Sequence, residues 1–120
     1  MTWLEATRAV LTAYKVTSGI PYYWKRCEAA ADQLPDIYIV YFMVDDPGET
    51  WADGQETSHQ PRVQVSLYFR DKPKYLTIPD QIKAAFMTAN FMRQSEGELP
   101  YQADTSLYGW YCDFNYYERR

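Results

Sequence analysis

The chain has 120 residues, of which 47% are hydrophobic and 23% charged, and this is enough apolar material for one domain with its own core. Twelve basic residues against sixteen acidic ones give a net charge of −4, which argues against a general nucleic-acid-binding protein. No apolar run reaches the ~20 residues of a membrane-spanning helix, and the N-terminus lacks the pattern of a secretory signal peptide. We expect a single domain, residues 1–120, in a reducing cytosol or in a particle assembled there.

The first predicted element is an amphipathic helix. Thr2 can cap it, and Glu5, three residues further on, completes a capping box. Apolar residues recur at helical spacing over Trp3–Tyr14. Gly19 followed by Pro21 is a favoured C-terminal end, so we predict that the helix stops at about residue 18.

A short extended piece is predicted next, over Ile20–Trp24, followed by a turn or one short helix over Lys25–Leu34. The strand Ile37–Val44 that comes after them is apolar on both faces. A strand of this kind is expected at the centre of a sheet, or with its second face covered by a neighbouring subunit.

The segment from Asp45 to Pro61 is too long for an ordinary hairpin loop, which has ~2–5 residues. Structureless loops beyond ~12–15 residues tend to be functional or disordered. This one contains five acids and no Lys or Arg, so its charge of −5 is larger than the net charge of the chain. We predict a long loop at 45–61, without regular secondary structure and mobile in the free protein. We expect it to bind a partner through Asp45, Asp46, Glu49, Trp51, Asp53 and Glu56.

The strand Arg62–Arg70 alternates between apolar and polar residues. A second helix is predicted to begin at Thr77, with Pro79 in its first turn, and its apolar stripe extends to Met92. The segment Gln94–Gly97 is expected to close this helix.

A polar link with a brief strand around Leu99–Tyr101 leads to the last predicted strand, Leu107–Tyr117. Cys112 shares a face of that strand with apolar neighbours and is expected to be a buried free thiol, whereas Cys27 is expected to be half exposed. A strand in which apolar and polar residues alternate needs its apolar face covered. We therefore predict an α+β fold, with an antiparallel β-sheet of three to five strands covered on one face by two α-helices.

Chemistry-bearing residues are sparse. His59 is the single histidine and has no local partner for a nucleophilic pair. Cys27, Cys112 and His59 lack metal-ligand spacing, and Pro47 and Trp51 interrupt any calcium-loop order among the nearby acids. The five glycines are scattered singly, so no phosphate-binding loop is present in the sequence. We expect no enzyme activity, no metal and no cofactor.

Aromatic residues make up 18% of the chain, and the twelve Tyr and four Trp exceed what so small a core can enclose. Some of them must lie at the surface. There they either bind a partner or form a Tyr-rich sheet with hydrated hydroxyl groups.

Short signatures occur along the chain in a recognisable order: Ala52–Gly54 in the loop, Val63–Tyr68 in a strand, Tyr101–Tyr108 with Asp and Thr at its centre, and Asp113–Tyr116 in the last strand. With these signatures, the region from about residue 4 to 117 resembles the tail-completion proteins of long-tailed phages and prophages. These are the tail terminator, or tail-to-head joining, class.

The resemblance implies a homo-oligomeric ring in the particle, usually of six copies, and leaves open whether the free protein is a monomer. Such a ring caps the tail tube protein and offers a surface to the head-completion or connector protein. Genome DNA passes through its lumen without specific binding, no reaction is catalysed, and no membrane is involved. A protein of this class is made in the bacterial host cytoplasm and resides in the virion, at the tail–head junction.

Two other classes remain open. A prophage-encoded acidic binding module would use the same loop to inhibit a host protein, by mimicking nucleic acid or by blocking a basic site. A hydrolase or nuclease would have to use His59. The neighbouring genes discriminate among these classes, because a terminator gene should lie beside head-connector and tail-tube genes.

Overall fold

A computed structural model describes the backbone of residues 2–30, 33–45, 48–52, 55–59, 61–116 and 118–119, and the side chains of these residues outside 45–60 and 118–119. The described part contains two α-helices, α1 (Trp3–Ser18) and α2 (Ile78–Thr88), and a short 3-10 helix (Lys72–Leu76). Its eight strands are β1 (Tyr22–Trp24), β2 (Ile37–Asp45), β3 (Gly48–Ala52), β4 (Gln55–His59), β5 (Arg62–Phe69), β6 (Phe91–Gln102), β7 (Leu107–Tyr116) and β8 (Glu118–Arg119).

Five of these strands form a mixed sheet in the order β1-β2-β5-β7-β6. The pairs β2–β5, β5–β7 and β6–β7 are antiparallel, whereas β1 runs parallel to β2. The predicted α+β fold, a sheet covered by two helices, is confirmed. The parallel pair corrects the expectation of a purely antiparallel sheet, since the segment between β1 and β2 crosses the sheet before β2 begins.

Helix α1 begins and ends as its sequence predicts. The Thr2 hydroxyl accepts a hydrogen bond from the backbone N–H of Glu5 over 3.2 Å, and the Glu5 carboxylate accepts one from the backbone N–H of Thr2 over 3.0 Å. Gly19 follows the helix with a φ of 75°, a left-handed conformation that favours glycine.

The main core lies between the helices and one face of the sheet. Val63, Val65 and Leu67 of β5 point into it and are fully buried. The ring of Phe86 in α2 stacks on Phe114 of β7 with centroids 4.8 Å apart. The same core buries Cys112, so the prediction of a buried free thiol is confirmed.

The opposite face of the sheet carries a smaller cluster of Tyr38, Val40 and Leu107. Cys27 and Leu34, from the segment that crosses between β1 and β2, pack against this cluster. The second face of β2 is therefore covered in part by its own chain. β2 lies second from one edge, and β5 holds the central position, which was one of the two arrangements predicted for β2.

The second half of the chain corrects two predictions. Helix α2 ends at Thr88 rather than near Met92, and Asn90, with a φ of 70°, turns the chain into β6. Gln94–Gly97, predicted to close the helix, and the predicted polar link around Leu99–Tyr101 both lie in β6, a strand of 12 residues at the edge of the sheet. Thr77 precedes α2 without a capping hydrogen bond from its side chain.

Residues 45–61, here called the arm, were predicted to lack secondary structure, and this is wrong for the residues described. β3 and β4 pair as an antiparallel hairpin, and β8 joins β4 to give the order β3-β4-β8. Because β3 follows β2, β4 precedes β5 and β8 follows β7, this small sheet repeats the order of the large one and extends its strands. The molecule is elongated, with a radius of gyration of 15.5 Å and extents of 53 × 26 × 22 Å. A compact domain of this length has a radius of gyration of about 13.6 Å.

Candidate interaction surface

The sheet edge at β1 is only partly closed. The N–H of Ile39 donates to the carbonyl of Pro21, and the N–H of Lys25 donates to the carbonyl of Tyr41, each over 2.9 Å. Lys25 then has a φ of 71°, and the chain leaves β2. In the described residues, no strand pairs with this side of β2 beyond Tyr41, so residues 42–45 present an open edge.

Large apolar side chains are exposed at this open edge. Trp24 is 45% exposed, Met43 is 41% exposed and Val44 is 46% exposed. A hollow of about 520 Å³ lies beside them, lined by Trp3, Trp24, Lys25, Phe42 and Met43. A cluster of exposed aromatic and Met side chains is typical of a protein–protein contact.

Basic side chains surround the same edge. Arg8 of α1 donates a hydrogen bond from Nε to the hydroxyl of Tyr41 over 2.9 Å, and this bond raises the pKa of the guanidinium group. The ammonium group of Lys25 lies 4.6 Å from the centroid of the Trp24 ring, a cation–π contact. Arg26 is exposed beside them.

A second hollow of about 520 Å³ adjoins Arg8, Trp24 and Arg26, and a third of about 300 Å³ shares Lys25 and Arg26 and continues over the opposite face of the sheet. The three hollows meet at residues 24–27, so they form one surface around the sheet edge. We call it the Trp24 surface and define it by Arg8, Trp24, Lys25, Arg26, Phe42 and Met43.

The predicted partner-binding residues belong to the arm. By sequence position Asp45 ends β2, Glu49 and Trp51 lie in β3, and Glu56 lies in β4. Their side chains are outside the described set, and Asp46 and Asp53 lie outside the described residues. His59 ends β4, and its side chain is likewise not described.

A half-buried ion pair joins β5 to β7. Asp113, 5% exposed, accepts hydrogen bonds at Oδ2 from Arg62 Nη2 over 2.8 Å and from Ser95 Oγ over 3.2 Å. Among the residues whose side chains are described, Arg62 Nε and Asp113 Oδ1 are buried and have no hydrogen-bond partner. Because Arg62 begins β5 directly after the arm, the pair fixes the arm's base.

Two further hollows lie on the helical side. One of about 470 Å³ runs between α1 and α2 and is lined largely by small apolar side chains, including Ala9, Ala13 and Ala85. The other, of about 240 Å³, lies beside the stacked rings of Phe69 and Tyr108, whose centroids are 5.7 Å apart. Within the described residues, no group of three or more His, Cys, Asp or Glu side chains could hold a metal ion.

No protein-family model matches the chain, and no curated protein is similar to it in sequence. Over the part of the chain with described coordinates, none of the helices has the length and apolar character needed to span a membrane. The resemblance to tail-completion proteins therefore stays a prediction, and a function has to be argued from the fold, the Trp24 surface and the arm.

Proposed function

We propose that this chain is a structural virion protein that caps a phage tail tube as a homo-oligomeric ring and joins the tail to the head connector. The observation that carries the proposal is the Trp24 surface, where Trp24 and Met43 are exposed at a partly unpaired sheet edge, with the exposed Val44 next to them. An open edge with exposed apolar side chains is a site where another chain binds.

The molecule also has the asymmetry that a ring requires. A ring forms when one surface of each copy binds a different surface of the next copy and the rotation closes. The Trp24 surface borders α1, β1 and β2, whereas the arm extends from the ends of β2 and β5. These two separate features can serve as the two halves of such a contact.

The acidic arm supports a role beside DNA without binding to it. Its five acids repel phosphate, so an arm that borders a lumen would let DNA pass without adhering. In this proposal Asp45, Asp46, Glu49, Trp51, Asp53 and Glu56 contact a neighbouring subunit or the end of the tube. The protein is then made in the host cytoplasm and incorporated at the tail–head junction.

The test combines the purified chain with the tail tube protein encoded by the same phage or prophage, followed by electron microscopy of the tube ends. We expect a ring at one end of each tube and an arrest of further tube growth. A Trp24→Ala/Met43→Ala variant should fail to cap. A Leu76→Ala/Met87→Ala variant, which removes exposed apolar side chains elsewhere, should cap normally.

Uncapped tubes with the unmodified chain would overturn the proposal. The same holds if the gene has no tail or head-connector genes beside it. A stoichiometric complex with a basic host protein, in place of capping, would favour the acidic inhibitory module.

A further inference from the structure

We infer that the Trp24 surface of one copy binds the acidic arm of a second copy of this chain. The inference rests on the self-assembly within the proposed function, and does not depend on the tail or the head connector. It assigns the acceptor surface for the arm.

Charge complementarity is the first support. Among the residues that line the three hollows of the Trp24 surface, Arg8, Lys25 and Arg26 are basic and one residue, Glu28, is acidic. The arm carries five acids and no Lys or Arg. Opposite charges on two separate surfaces of an otherwise nearly balanced chain favour contact between copies.

Apolar complementarity is the second support. The hollow lined by Trp3, Trp24, Phe42 and Met43 is open to solvent and has a volume of about 520 Å³. The arm contributes one large aromatic residue, Trp51, which lies in β3 next to its last residue, Ala52. Trp residues are enriched among the side chains that carry most of the binding energy of an interface.

The backbone offers a third support. In the described residues, β3 is an edge strand of the small sheet, and residues 42–45 of β2 are unpaired on the β1 side. Each edge exposes N–H and C=O groups that a strand from another chain can bind. A contact between the arm and the Trp24 surface brings two such edges together.

A copy cannot make this contact with its own arm. The arm continues the β2–β5 pair beyond Met43, the last residue of the Trp24 surface on β2, and a strand advances ~3.3 Å per residue, so Glu49 lies roughly 20 Å along the ribbon from Met43. The long axis of 53 Å agrees with an arm that extends outwards. The acceptor of the arm is therefore on a second molecule.

A charge-swap experiment tests the inference, with sedimentation velocity as the measurement of self-association. Lys25→Glu/Arg26→Glu and, separately, Glu49→Lys/Glu56→Lys should each weaken self-association at least ~10-fold, because each places like charges opposite one another. A mixture of the two variants should associate again, since the reversed arm then faces a reversed surface. Lys25 and Arg26 are exposed, so the first variant should keep its fold.

The matched control is Lys15→Glu/Lys74→Glu. It makes the same change in net charge at exposed lysines of α1 and the 3-10 helix, away from the Trp24 surface, and should leave self-association unchanged. Equal weakening by the control, failure of the mixture to associate, or a wild-type chain that stays monomeric up to near-millimolar concentration would overturn the inference.

Two further outcomes distinguish self-association from nucleic-acid binding and from tail capping. If Lys25→Glu/Arg26→Glu abolishes binding of labelled single-stranded DNA but not self-association, the Trp24 surface is a nucleic-acid site and the inference is wrong. If the wild type associates through this surface but does not cap tail tubes, the proposed function fails and the inference stands. If the charge-swap variants cap tail tubes as well as the wild type does, the proposed function stands and the inference is wrong.

Discussion

The buried carboxylate of Asp113 in β7 forms an ion pair with the half-exposed Arg62 of β5, with Nη2 and Oδ2 2.8 Å apart. Ser95 of β6 donates to the same oxygen, so one carboxylate connects three strands. The neighbours of the pair, Val63, Cys112 and Phe114, face the helices, so by strand alternation the pair lies on the opposite face of the sheet, and Arg62 follows the arm directly in the chain.

Asp113→Ala should lower the free energy of unfolding by about 2 kcal/mol, because it leaves the Arg62 guanidinium without its buried partner. The loss stays moderate since the Arg62 side chain is 42% exposed and can reach water. Urea unfolding measures the change. The control is Asp36→Ala, which breaks the exposed Arg70–Asp36 pair and should cost less than ~1 kcal/mol. Equal losses would contradict the assigned role of Asp113.

Gly109→Ala should destabilise the protein by about 1–3 kcal/mol, because the added Cβ would lie 2.8 Å from the Cβ of Leu99, an atom close to the backbone of β6. Gly97→Ala is the matched control. Its Cβ would meet the ring of Tyr111 at 3.0 Å, and that ring lies at the end of a movable side chain. Urea unfolding should show a clear loss for the first variant and little change for the second. A larger loss of stability for Gly97→Ala than for Gly109→Ala would contradict this prediction, because it would mean that β6 moves aside more easily than the Tyr111 ring.

The two cysteines should differ in reactivity. Burial raises the pKa of the Cys112 thiol to about 12, and the side chain has no exposed area, so it should not react with a disulfide reagent in the folded protein. Cys27 is partly exposed and should react. Thiol titration should count one reactive group in the native chain, none in Cys27→Ser, and two in the unfolded chain. Rapid native reaction of both thiols would contradict the packing of Cys112.

Stability should fall in alkaline solution because of Tyr38. Burial, and then the neighbouring Tyr68, raise the pKa of Tyr38 from 10.0 to about 12. The unfolded chain therefore loses this proton at lower pH than the folded chain, so the contribution of Tyr38 is complete below pH 10 and declines between pH 10 and 12. Tyr38→Phe should reduce the decline in urea unfolding across this range. Tyr101→Phe, at an exposed tyrosine, is the control. Identical pH profiles for Tyr38→Phe and wild type would contradict the assignment.

Deleting residues 49–56 should leave the fold intact and prevent self-association and tail completion. β3 and β4 pair with each other and with β8 rather than with the five-stranded sheet, so the main core does not depend on their pairing. Circular dichroism and urea unfolding check the fold, and sedimentation checks association. Trp51→Ala in the full-length arm separates the contribution of the aromatic ring from that of the charge. A deletion variant that still made infectious particles with normal tails would contradict the role of the arm.

Strands that bury a regular apolar face could be predicted from the sequence, and edge strands could not. β5 alternates between Val63, Val65 and Leu67 because each packs in the core. β6 buries Phe91 alone among its residues and is held by its pairing with β7. Its sequence therefore shows no periodic pattern of apolar residues. The end of α2 could have been predicted from Asn90, since Asn is common where a helix ends in a left-handed turn.

The surface features depend on register and topology, which the sequence does not reveal directly. Arg62 and Asp113 are 51 residues apart and meet only because β5 and β7 pair in one particular register. The Trp24 surface combines α1, β1 and β2, and its basic and aromatic residues are not distinctive one by one. The acidic segment can be recognised in the sequence by its length and charge, whereas its hairpin and the Trp24 surface depend on strand pairing.

Because the strands of the arm continue β2 and β5, the arm can lengthen by whole pairs of residues without changing the large sheet. Adding two residues to each strand of the hairpin advances its tip by ~7 Å. Because side chains alternate with a period of two, every residue of the large sheet keeps its face. A single added residue in one strand would instead require a bulge or turn the following residues over. The reach of the arm can therefore vary in steps between related chains, while the core that supports it stays the same.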